Sequence, residues 1–127
     1  MTEIKEYINN EFKPIHVMDT IAEVQDFFIE MAFSHFPVME DGIYTGSIAA
    51  EDVETFDLEK KVNDYRYTLE GFFVRSTDLW LDVLEVFAKN QTNIVPVLDS
   101  TNQYIGYYEL EDIIKFFHET PFLKEPG

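Results

Sequence analysis

Apolar residues recur along this chain at two different periods, and the periods alternate. From Thr20 to Ala32 they fall at Ile21, Val24, Phe28, Met31 and Ala32. That three- and four-residue spacing gathers them on one face of a helix. Thr20 followed by Glu23 fits a capping box at the start of that helix. From Phe36 the pattern changes to short apolar runs, Phe36–Met39 and Ile43–Ile48, split by the turn residues Glu40, Asp41 and Gly42. A short strand around His16–Met18 precedes the helix, and a second, shorter helix starts near Ala50. The predicted order is β-α-β-β-α.

The order then repeats. Trp80, Val83, Leu84, Phe87 and Ala88 form a second helical stripe, which Asp78 or Thr77 can cap. Strands are predicted around Phe72–Arg75, Ile94–Leu98 and Tyr104–Tyr108, and a last helix near Leu110 presents Ile113, Ile114, Phe116 and Phe117. Aligning Pro37 with Pro96, 59 positions on, also pairs Asp19 with Asp78, Val24 with Val83, Phe28 with Phe87 and Val38 with Val97. The second turn, Asp99 to Gln103, is one residue longer, so beyond it an offset of 60 pairs Gly46 with Gly106 and Asp52 with Asp112. Such duplication is sought before fold, because it sets the architecture. A unit of about sixty residues buries little alone, so the two are expected to pack sheet to sheet around one core. Tyr107 and Tyr108 alternate across a strand, which predicts one in the core and the other on the opposite surface.

The division that follows is a leading helix (Glu3 to Asn10) with the first unit over 1–55, a polar linker with room for a helical turn over 56–71, the second unit over 72–118 and a tail over 119–127. The leading helix is expected on the outside. The two prolines of the tail end regular structure.

Composition narrows the function classes. The net charge of −16 repels phosphate backbones and anionic membrane surfaces, which argues against nucleic-acid and membrane partners. With no cysteine, disulfides, thiolate zinc sites and cysteine nucleophiles are excluded. The N-terminus shows no signal pattern, and no apolar run approaches bilayer length. A soluble, cytoplasmic protein is expected. Twelve Phe in 127 residues is a heavy aromatic load, part of which suits an interface between chains.

An apolar-Pro-Val strand, an acidic turn, a strand with one Gly and an Asp six residues after it, all present twice, resemble the CBS domain. The resemblance runs from Pro14 to about Phe117, and the pair is similar to a Bateman module. It looks most like short bacterial stand-alone pairs of the acetoin-utilisation type, in which an ACT-like segment can follow. The Pro-Gly ending suits a boundary before such a segment. The resemblance implies an α+β fold of two β-α-β-β-α units about a pseudo-twofold axis. It also implies association into a homodimer through helices, and two clefts that in many members take AMP, ATP or S-adenosylmethionine.

In nucleotide-binding members a frequent pattern runs Gly, two residues, Ser or Thr, two residues, Asp. Here Asp52 and Asp112 match the ribose-binding Asp, but Ala49 and Glu109 stand at the hydroxyl positions. Ala49 removes a donor worth about 1 kcal/mol, and Glu109 puts a negative charge near a prospective phosphate. The resemblance also places His35, Phe36, Ile94 and Val95 at the strand starts that line the clefts, with Thr20, Thr77 and Arg75 on the strand-to-helix turns. Arg75 is the cation that could offset the acidic groups. Asp52 and Asp112 have an alternative use as first-turn charges, which stabilise a helix by roughly 0.3–1 kcal/mol without any ligand.

The three histidines show no metal-ligand spacing, and Ser34 beside His35 does not by itself give triad geometry. With no nucleophile, base or metal set assembled, an enzyme is not expected. The expected function is a regulatory pair sensing an adenosine-type ligand. The alternative is a ligand-free scaffold that mediates dimerisation.

Overall fold

The computed structural model describes residues 3–120. The duplicated pattern becomes two three-stranded sheets. The first holds β1 (Ile15–His16), β2 (His35–Glu40) and β3 (Ile43–Ala49), and the second holds β4 (Val74–Arg75), β5 (Ile94–Leu98) and β6 (Tyr104–Glu109). In each sheet the short first strand runs parallel to the central one, and the third runs antiparallel to it. The helices are α1 (Ile21–Glu30), α2 (Ala50–Val53), α3 (Trp80–Asn90) and α4 (Leu110–Glu119).

Local chemistry explains the boundaries. Thr20 caps α1: its hydroxyl accepts the Glu23 N–H at 3.2 Å and donates to Glu23 Oε1 at 3.0 Å. The cap expected on α3 does not form. Leu79 stands at that position without a side-chain bond, and the Asp78 carboxylate instead accepts the Arg75 N–H at 2.8 Å. Asp19 accepts the His16 N–H at 2.9 Å in the same way. These paired aspartates hold the sharp turn before each helix. Asp41 and Gly42 both have positive φ, 50° and 82°, the conformation of a tight two-residue hairpin turn. The longer turn in the second unit is organised by Asp99 Oδ1, which accepts from the N–H groups of Thr101 and Gln103. Those bonds, to Gln103 above all, hold the Asp99 carboxyl below its ordinary pKa.

Two apolar clusters form where one core was expected. The first gathers Ile21, Val24, Phe36, Val38, Ile48 and Val53 with Ile94 and Tyr107 of the second unit. The second gathers Val83, Phe87, Val95, Val97, Tyr108 and Ile113 with Ile4 of the leading segment. Tyr107 and Tyr108 therefore are both fully buried, one in each cluster, and neither lies on a surface. The alternation of the strand is right, but β6 has apolar neighbours on both faces.

The connecting segments are exchanged between the units. The leading helix is shorter than expected, a 3-10 turn over Ile4–Tyr7. It is docked on the second cluster, with Tyr7 edge-on to Phe116 at 6.0 Å. Asn9 then pairs with Tyr107 through reciprocal backbone bonds of 2.8 Å. The segment 56–71 holds a 3-10 helix, Val62–Thr68, whose Val62 is buried in the first cluster, and Glu70 pairs with Ser47 through bonds of 2.7 and 2.9 Å. Each crossing passes over a glycine. An added Cβ on Gly46 would lie 2.9 Å from Leu69 Cβ, and one on Gly106 would lie 2.6 Å from the Asn9 carbonyl oxygen. Their φ values, 146° and 144°, also disfavour side chains. The glycine that opens each Gly-to-Asp pattern is thus explained by close backbone approach. The rest of the expected tail, 121–127, lies outside the described residues.

Candidate functional site

The pseudo-twofold axis runs between Ser34 and Asn93, partners at the offset of 59. Each precedes the central strand of its own sheet. The Ser34 N–H donates to Asn93 Oδ1 at 2.8 Å, and the Asn93 N–H donates to Ser34 Oγ at 3.0 Å. Asn93 Nδ2 reaches on to the Ala32 carbonyl at 2.7 Å. On either side of this clasp lies a cleft, formed by the strand-to-helix junction of one unit and the helix end of the other.

The first cleft has a volume of about 460 Å³. Its floor is Ser34, His35 and the junction Ala49-Ala50, its wall carries Glu51, Asp52 and Glu54, and Glu70 of the linker with Asn90 and Gln91 of the second unit complete it. His35 is buried. Its Nε2 lies 3.1 Å from Glu70 Oε2 and its Nδ1 lies 2.9 Å from Ser34 Oγ. Ser34, His35 and Glu70 thus form a hydrogen-bonded chain, but the serine oxygen is already engaged with Asn93. The chain fastens the crossing segment to the axis.

The second cleft is smaller, about 210 Å³, and is lined by Met31, Ala32, Phe33, Asn93, Glu109, Leu110 and Glu111. Two substitutions between the copies account for the lost space. Ala49 and Ala50 are replaced by Glu109 and Leu110 at the offset of 60. Behind them Phe33 packs against Phe12, Phe36 and Tyr107 with ring centroids 5.3–6.2 Å apart. Phe33 and Tyr107 are the counterparts of Thr92 and Ser47 at the offsets of 59 and 60. Glu109 Oε2 accepts from Asn9 Nδ2 at 3.1 Å. Loss of water around Glu109, then the nearby Asp112 charge, raise its pKa, and the Asn9 bond offsets this in part.

Of the residues singled out from sequence, the fold brings His35, Ala49 and Asp52 together in the first cleft and puts Glu109 in the second. Asp112 lies in the first turn of α4 and lines neither cleft. Phe36, Ile94 and Val95 are core residues. Thr20 caps α1, and Thr77 is exposed on the turn before α3. Arg75 donates to the Asp99 carbonyl at 2.8 Å and to Asn102 Oδ1 at 2.6 Å, and its guanidinium lies 5.4 Å from the Phe73 ring centre. It is absent from both cleft linings, so it does not offset their acidic groups there. Sequence reading missed Ser34 and Asn93 as a pair, Glu70, and the helix end Asn90-Gln91. The offset of 59 carried a signal for the first pair; nothing local pointed to the others. Among the described residues no group of three or more His, Asp or Glu is arranged to hold a metal ion, and no helix is long and apolar enough to cross a membrane.

A sequence model of the CBS domain matches residues 4–58 and 68–119, and the chain belongs to that family as a tandem pair. It is 22% identical over 117 residues to the CBS domain-containing protein MJ0729 of Methanocaldococcus jannaschii, covering 91% of this chain and 94% of that one. Its fold is similar to that of a CBS domain pair/ACT domain protein from Thermotoga maritima, with a TM-score of 0.81 and 21% identity over 93% of this chain and 98% of the other. It is also similar to CBSX2 in complex with AMP, with a TM-score of 0.75 and 13% identity over 95% and 99% of the two chains.

Proposed function

We propose that this CBS pair is a non-catalytic regulatory module that senses an adenosine-type ligand, of the AMP, ATP or S-adenosylmethionine class, in the cleft beside Asp52. The observation that carries this reading is the first cleft itself. Its 460 Å³ falls in the range of about 300–1,000 Å³ usual for small-molecule sites, and Asp52 is among its lining residues. AMP in CBSX2, a protein of similar fold, supports the ligand class. Both units contribute walls, so a ligand that favours one relative tilt of the units shifts the population toward it. The test is thermal denaturation with adenosine, AMP, ATP and S-adenosylmethionine. A saturable rise in melting temperature with one of them, lost in Asp52→Ala and kept in Asp112→Ala, is the expected result. No shift with any of them overturns it.

A second reading is a ligand-free scaffold that dimerises through its helices. Large apolar side chains left exposed favour it: Ile29 on α1 (75% exposed), Leu79 and Leu81 at the start of α3 (70% and 58%) and Ile114 on α4 (47%). Sedimentation showing a monomer at high concentration excludes this reading.

A further inference from the structure

The two clefts differ in charge balance as well as in size. Four carboxylates line the first, Glu51, Asp52, Glu54 and Glu70, and among the described residues no lysine or arginine does. The remaining polar groups are the neutral amides of Asn90 and Gln91, the Ser34 hydroxyl and His35, whose ring faces Glu70. Lys89 lines an adjoining groove of about 310 Å³ with Phe72, Phe73 and Asn90, outside the cleft. Among the described residues the second cleft is also lined by no cation; it carries Glu109 and Glu111, and at 210 Å³ lies below the usual range for a ligand site.

Resting on the adenosine-sensing reading above, we infer that the chain binds one ligand, in the first cleft, and that this ligand is an adenosine compound whose 5′ substituent carries no negative charge. A ribose finds acceptors in Asp52 and its carboxylate neighbours. A phosphate in the same space meets four like charges at close range, a repulsion that weakens as salt rises. A neutral 5′-hydroxyl avoids that repulsion, and a cationic 5′ group gains from the same carboxylates. A nucleotide enters only with a divalent cation bridging its phosphates to them.

Isothermal titration of the full chain tests this with four probes: adenosine, S-adenosylmethionine, AMP in EDTA, and AMP with Mg²⁺. The expected result is one site per chain. Adenosine or S-adenosylmethionine should bind at least about tenfold more tightly than AMP in EDTA, and the gap should narrow at high salt. The double variant Glu51→Gln/Glu54→Gln, both residues exposed, should close the gap by strengthening AMP. Adenosine over S-adenosylmethionine identifies a neutral ligand, and the reverse order a cationic one. AMP in EDTA binding as tightly as adenosine, and weakened by Lys89→Ala, overturns the inference and leaves adenosine sensing intact. Two sites per chain overturn single occupancy. Binding by none of the four overturns the inference together with the function it rests on.

Discussion

The two clefts started from one duplicated pattern and now differ in what fills them. At the strand-to-helix junction the first has Ala49-Ala50 and the second Glu109-Leu110. Beneath the junction the first has Ser47 and the second Tyr107, both fully buried. Ser47 is a small side chain that bonds Tyr44 at 2.9 Å, whereas Tyr107 packs a ring against Phe33 and Phe36. A duplicated fold can thus trade a cavity for a core at one site and keep it at the other, with the backbone frame unchanged.

The largest expected effect comes from emptying the aromatic side. Tyr107→Ala should cost about 3–5 kcal/mol in urea unfolding, as large-to-small core changes do, while Ser47→Ala should cost about 1 kcal/mol for one hydrogen bond. Equal losses would break the contrast. Next come the glycine crossings. Gly106→Ala should cost roughly 2–3 kcal/mol, from a backbone conformation that disfavours a side chain and a clash with the Asn9 carbonyl. Gly46→Ala should cost somewhat less, because its nearest contact, Leu69 Cβ at 2.9 Å, is a milder clash than the two below 2.8 Å at Gly106. The reverse order would show that the leading segment is the looser of the two. Asn93→Ala should then cost about 1–2 kcal/mol, since it leaves the Ser34 N–H and the Ala32 carbonyl without their partner. Its melting curve should stay single if the clasp only adds to cohesion, and split if the clasp couples the units.

The smallest effect concerns Glu109. Its folded pKa is raised, so the folded state binds its proton more tightly than the unfolded chain does. The stability this contributes is fully present below the ordinary value of 4.5 and is lost as pH rises through the folded value. Glu109→Gln should therefore raise the melting temperature slightly at pH 7, with the advantage fading as pH falls toward 4.5. Because the group is only partly buried, the shift should be small. A variant less stable at pH 7 would mean that the carboxylate's bond to Asn9 outweighs its desolvation.

Much of the molecule was legible before any coordinates. The strand and helix order follows from the alternation of periods, and the duplicated frame located both Gly-to-Asp segments to the residue. Three features were not. The cap on α3 was misassigned because Asp78 has one carboxylate and two possible uses, and the tight turn took it. One of Tyr107 and Tyr108 was given to a surface because alternation separates two faces without saying what covers them. Arg75 was given to the ligand because it is the cation beside the strand-to-helix turn, whereas its side chain reaches the β5–β6 turn.

By itself the sequence determined the repeat, its element order, its acidic character and the positions of Asp52 and Asp112. These are local or compositional properties, readable from spacing because helix and strand periods act over a few residues. Only the tertiary structure decided that Asp52 lines the first cleft while Asp112 lines neither of the two, that Ile4 closes the second cluster and Val62 the first, and that Ser34 meets Asn93. Those outcomes depend on which surfaces meet across the pseudo-twofold axis. Packing of residues some sixty positions apart sets them, and no local period records it.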